Sequence, residues 1–271
     1  MIFIAKYFNI PYNCLTKNGH DSDKKIRVLL FSYIQYNLTS ASKVNTTLKD
    51  IMYHVGLSNT QRAKDSTKLK EVITALYEFE EEGYVLLPDK PIENMNFHEM
   101  FTIEVMYGGI EIVGYKDDGA YILGERFVKI SIHEYENIIF EHHSLTNPTD
   151  LFIFAYIKAH IFNRGKSQTI EDRAEAWQFS HNELSTAAGI DVSTVRNDIK
   201  RLDNDMHLIK YSHPKSIQRG YKDGKVKVLK DSYFNLKTVY VLNKDGWEDE
   251  LAWGMKNYRN DSYNKYSEIE Q

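Results

Sequence analysis

Arg196 and Asn197 stand side by side in GIDVSTVRNDIKRL, with Lys200 and Arg201 one helical turn further on. A guanidinium can fork to the O6 and N7 of guanine, and a carboxamide to the N6 and N7 of adenine, so these side chains can read base edges in a major groove. Val195, Ile199 and Leu202 recur at helical spacing, which sends one face inward and leaves Thr194, Arg196, Asn197, Lys200 and Arg201 on the other. Ser193 is placed to cap this helix. A second cationic group follows. From Lys210 to Lys230, the cations Lys210, Lys215, Arg219, Lys222, Lys225, Lys227 and Lys230 are opposed only by Asp223. Long cations at that density neutralise phosphates without reading sequence.

Other chemistry finds less support. His142 and His143 adjoin Glu141, but neighbouring side chains on one element diverge and no spaced set of further ligands follows. Gly108-Gly109 lacks the strand-to-helix glycine pattern of a phosphate loop, and no HExxH occurs. Neither a metal nor another cofactor is expected, and no clustered titrating set marks an enzyme. Tyr233, Phe234 and Tyr240 could stack on single-stranded bases, although cross-strand packing is the commoner use of such residues.

The elements that must position the first group are legible nearby. In FSHNELSTAAGIDV, Ser180-x-x-Glu183 has the pattern of a capping box. Leu184 and Ala188 then face inward, Gly189 can turn the chain out of the helix, and Ile190 plugs the turn. After the second helix, Leu208-Ile209 begins a strand and SYFNLKTVYVLN returns it. The cations between them would lie on a long hairpin, the wing beside a helix-turn-helix.

The same order of elements occurs earlier, so the stretch from Ile2 to Leu87 reads as a first copy of the stretch from Phe127 to Tyr211. IFIAKYFNIP and RFVKISI are the opening strands. Asp21 starts one helix, carrying Ile26, Leu29, Leu30, Tyr33 and Ile34; Asn147-Pro148 starts the other, carrying Leu151, Phe154, Ala155 and Phe162. Thr47-x-x-Asp50 matches Ser180-x-x-Glu183, and Val55-Gly56-Leu57 matches Ala188-Gly189-Ile190. In the first copy, SNTQRAKDSTK lengthens the turn before the stripe Leu69, Val72, Ile73 and Leu76. Arg62, Lys64, Lys68 and Lys70 could reach DNA there, yet the helix ends in EFEEEG, which would repel phosphate if exposed. The first copy is therefore expected to serve dimerisation or partner binding more than base reading.

The fold class expected is α+β, with two tandem winged helix-turn-helix domains and β-hairpin wings. The first domain is 1–125, including a hairpin over 110–123 with an Asp-Asp-Gly turn. The second is 126–243, with the basic wing. A helix bearing Trp247, Leu251 and Trp253 or Met255, followed by a polar tail, occupies 244–271.

A chain of 271 residues suits two domains. Its net charge of -4 makes the positive surface local, set against acids at Glu78–Glu82 and Asp245–Glu250. No apolar run of about 18 residues could span a bilayer, and MIFIAKYFNIPYNCL breaks at Pro11 without a leading positive segment. Cys14, the only cysteine, can form no internal disulfide. No membrane association is expected, and a cytoplasmic location fits.

GIDVSTVRNDIKRL resembles the turn and recognition helix of bacterial winged-helix DNA-binding proteins. With NPTDLFIFAYIKAH opening the second unit, the two-unit pattern up to about Asn243 is similar to replication initiators of plasmids and phages of low-GC Gram-positive bacteria. The resemblance implies sequence-specific binding of double-stranded origin DNA through both units. Two other functions share the residues: a transcriptional regulator, distinguished by a short palindromic site, and a winged-helix scaffold that binds protein. The partners expected are double-stranded DNA, with a homodimer or a replication or transcription protein on the first copy.

Overall fold

The computed structural model describes residues 7–16, 22–55, 67–106, 127–141, 147–161, 175–212, 218–222, 225–229 and 237–256. It is a mixed α+β structure with small antiparallel sheets, and it divides into two compact units, Met1–Ala155 and Tyr156–Gln271. The division falls inside a helix, after Ala155.

In the first unit, β1 (Tyr7–Pro11) leads to α1 (Lys24–Tyr36), β2 (Lys43–Thr47), α2 (Leu48–His54) and α3 (Thr67–Glu81). Then come β3 (Val85–Leu86), β4 (Met100–Val105), β5 (Phe127–Ser131) and α4 (Ile132–Glu136), which widens into a π turn at Asn137–Glu141. Asp23, two residues after the expected start, caps α1 by accepting from the Lys25 amide at 2.8 Å. Every residue from Ile26 to Ile34 is buried, so α1 is the central helix of this unit and not a half-exposed one. At α2 the Thr47 hydroxyl accepts from the Asp50 amide at 3.1 Å and donates to the Asp50 carboxylate at 2.8 Å. Aspartate, one methylene shorter than glutamate, is thus engaged with the hydroxyl. Full reciprocal boxes form at Ser131/Glu134 and at Ser180/Glu183.

Arg27 is fully buried within α1. Its Nη1 donates to Glu78 at 2.5 Å and its Nη2 to both oxygens of Glu82 at 2.7 and 2.8 Å, while its guanidinium lies 4.8 Å from the Phe79 ring centre. Ser22 also donates to Glu78 and Asn13 to Glu82. Glu80 accepts from the Leu87 amide at 2.8 Å. Three acids of EFEEEG are therefore structural ligands. The repulsion of phosphate that this run would exert if exposed is reduced, because a buried guanidinium draws two of the carboxylates inward.

α5 (Asn147–Ile161) contains the division between units, after Ala155. Beyond it come β6 (Ala176–Phe179), α6 (His181–Ala188), α7 (Val192–Lys200) and a π turn at Arg201–Asp205. β7 (Ile209–Ser212), β8 (Gln218–Lys222), β9 (Lys225–Leu229), β10 (Thr238–Leu242) and a final helix, α8, over 247–256 complete the described chain. Trp247, Leu251 and Met255, one turn apart, pack α8 on Ala176, Val239 and Val241.

The repeat has a counterpart in topology. Helix, strand, helix, helix, strand, strand occurs as α1-β2-α2-α3-β3-β4 and again as α5-β6-α6-α7-β7-β10, with β8 and β9 inserted before β10 in the second. Both three-stranded sheets place the last strand in the middle, β2-β4-β3 and β6-β10-β7. The two opening strands behave differently: β1 and β5 pair with each other, Phe8 opposite Ile130 and Ile10 opposite Val128. Among the described residues, no helix is long and apolar enough to cross a membrane.

Candidate nucleic-acid interface

α6 and α7 are joined by a tight turn. Its pivot is Gly189, at φ 62° and ψ 39°, a left-handed conformation that costs a side-chain-bearing residue about 1–2 kcal/mol. The Ser185 hydroxyl donates to the Ile190 carbonyl at 2.6 Å, and the Ile190 amide returns to the Ser185 carbonyl at 3.2 Å. Leu184 and Ala188 of α6 and Val195 and Ile199 of α7 are buried, with Leu202 just beyond. Gly189→Ala is therefore expected to destabilise the second unit by about 1–2 kcal/mol, read as a lower urea midpoint at constant m-value.

Asp191, not Ser193, caps α7: its carboxylate accepts the Ser193 amide at 2.7 Å and the Ser193 hydroxyl at 2.5 Å. Starting the helix one residue before Ser193 lets the stronger acceptor take both donors. Ser193, Asn197 and Lys200 are exposed on the side away from Val195 and Ile199, and half-buried Thr194 and Arg196 flank that surface. Arg201 differs from them, because its Nη2 donates to the fully buried carboxylate of Asp198.

The cationic segment after α7 forms an antiparallel hairpin of its own, β8–β9, distinct from the β7–β10 pairing. Its register sets Lys222 opposite Lys225 and Gly220 opposite Lys227, which places positions 222, 225 and 227 on one face of the ribbon. Position 219, opposite Val228, is on the other. Lys215 lies outside the described residues, as do Arg62, Lys64, the 110–123 hairpin, His142 and His143. Lys68 is exposed near the start of α3, as is Lys70.

Tyr240 is fully buried, with ring centres of Phe179 and Tyr211 at 6.4 and 6.1 Å, so it is cross-strand core and no platform for a base. Tyr233 and Phe234 are outside the described residues. Among the described residues, no group of three or more His, Cys, Asp or Glu is placed to hold a metal ion.

In the second unit, the His160 ring centre lies 4.4 Å from that of Tyr156, 4.9 Å from Phe179 and 6.1 Å from Trp177. Burial holds its pKa below the ordinary imidazole value, against the opposing effect of its 2.8 Å bond to the Tyr156 carbonyl. The unfolded chain consequently takes up this proton first. The resulting stability is complete above the ordinary value, near 6.5, and is lost as pH falls from there through the depressed folded-state value. The melting temperature of the second unit should fall between pH 7.5 and 5.5, and His160→Phe should reduce that fall. An undiminished fall would place the responsible proton elsewhere.

β2, β6 and α4 are short elements that lie outside the strands and helices expected from the sequence. The first two are strands of only four or five residues, written KVNTT and AWQF; α4 carried a readable signal in Ser131-x-x-Glu134. In comparisons with known proteins, no family model and no curated protein matches the chain.

Proposed function

We propose that this chain is a tandem winged-helix protein that binds double-stranded DNA sequence-specifically and acts as an initiator of plasmid or phage replication. The observation that carries the DNA reading is α7. It is a helix fixed by a left-handed glycine turn and a buried Val195/Ile199 seam, with Ser193, Asn197 and Lys200 on the outer surface and Thr194 and Arg196 at its flanks. Such a helix can enter a major groove with Arg196 and Asn197 at base edges while Lys200 meets phosphate. The β8–β9 hairpin, following in the position of a wing, adds cations to the same unit. Two supports back the winged-helix assignment: the repeated element order and the shared strand order of the two sheets.

The replication role rests on the resemblance of the two-unit pattern to plasmid and phage initiators. Selection of bound duplexes from a random pool, then titration of the winner across salt concentrations, tests both levels. Enrichment of directly repeated sites with salt-sensitive binding is the expected result. One short palindrome instead would assign the protein to transcriptional regulation. No binding at low salt would leave the protein-binding scaffold as the better reading.

A further inference from the structure

Resting on this DNA reading, we infer that the phosphate footprint of α7 ends at Lys200. Arg201 and Lys210 are instead structural cations that neutralise two acids at the base of the helix. The first acid is Asp198, which α7 carries on its inner side and which is fully shielded from water. Arg201 donates to it from the next turn, with its own side chain 25% exposed. Swinging Arg201 out to a phosphate would give up a charge-assisted bond to a fully buried carboxylate in exchange for a solvent-exposed contact. Losing one partner of a buried pair costs far more than a surface ion pair returns.

The second acid is Asp203, in the π turn that follows α7. Lys210, on β7, donates to its carboxylate at 2.6 Å and lies 5.9 Å from the Trp247 ring centre, so this pair ties the end of the helix to the sheet and to α8. Left uncompensated, both negative charges would add a field that opposes a phosphate backbone. The two pairs cancel that charge. They also take Arg201 and Lys210 out of the sum of DNA-facing cations, which on α7 leaves Arg196 and Lys200.

The test compares salt slopes and melting temperatures. Arg201→Gln should lower the melting temperature of the second unit by about 5 °C or more, because it takes the guanidinium away from a fully buried carboxylate. The charge-neutral double variant Asp198→Asn/Arg201→Gln should recover at least half of that loss. On a selected duplex, the double variant should keep the salt slope of the unmodified chain, whereas Lys200→Gln should lose about 0.9 of a unit. A comparable slope loss in the double variant would put Arg201 on a phosphate and overturn the inference, as would the absence of thermal recovery. Should Arg201→Gln fail to fold, the double variant alone still carries the slope comparison. If the unmodified chain binds no duplex, the DNA reading fails and the footprint with it, while the thermal recovery reads the ion pair independently.

Discussion

Replacing Arg27 with methionine is expected to destabilise the first unit by about 3–5 kcal/mol, enough to unfold many domains of ordinary stability. Arg27 is completely buried, and the side chains of Glu78 and Glu82 that it bridges are only 14% and 18% exposed. Removing the guanidinium leaves two neighbouring carboxylates without their shared cation and with little access to water. Methionine fills much of the volume, so the loss reports charge more than cavity. The triple variant Arg27→Met/Glu78→Gln/Glu82→Gln should regain more than half of the lost stability, since no uncompensated charge remains. Urea unfolding of the three proteins makes the comparison. A triple variant as unstable as the single one would show that packing against Phe79, and not the ion network, is what Arg27 supplies.

The second large effect concerns DNA. Lys222→Gln/Lys225→Gln/Lys227→Gln should bind a selected duplex about 100-fold more weakly near 0.15 M salt, with a salt slope shallower by about 2.7, if each lysine neutralises one phosphate. The hairpin register favours this grouping, because Lys222 and Lys225 are opposed and position 227 lies on the same face of the ribbon. Arg219 is left intact, since its position is on the other face. The weakening should be uniform across sequences, whereas Arg196→Ala/Asn197→Ala should relax base preference. Unchanged affinity and slope in the lysine variant would sink the wing assignment.

What could be read in the sequence was what neighbouring residues decide among themselves. Ser180 and Glu183 are three residues apart and cap each other; Gly189 pivots where two helices must part; Val195, Ile199 and Leu202 form their seam by spacing alone. The α+β class and the order of most helices followed from such signals. The misplaced caps were local ambiguities: Asp191 and Ser193 can each start a helix, and so can Asp21 and Asp23. The rest depended on partners far along the chain. EFEEEG reads as an exposed acidic run until Arg27, some fifty residues earlier, is known to lie beneath it. Arg201 likewise reads as one more exposed cation until Asp198 is known to point inward.

The pairing of β1 with β5 bears on how the chain can be made. Phe8 and Ile10 find Val128 and Ile130, and Phe8 meets the edge of Tyr135 at 5.6 Å, so these buried residues are completed by segments about 120 residues later in translation. At ribosomal speeds, that interval is on the order of ten seconds. Throughout it, the nascent opening strand has an unsatisfied hydrogen-bonding edge and two apolar side chains without their cover. A ribosome stalled before Phe127 would display a segment suited to chaperone capture or to pairing with the same strand of another nascent chain. Codon choice and chaperone supply across that stretch would therefore govern the yield of folded protein without altering any residue in it.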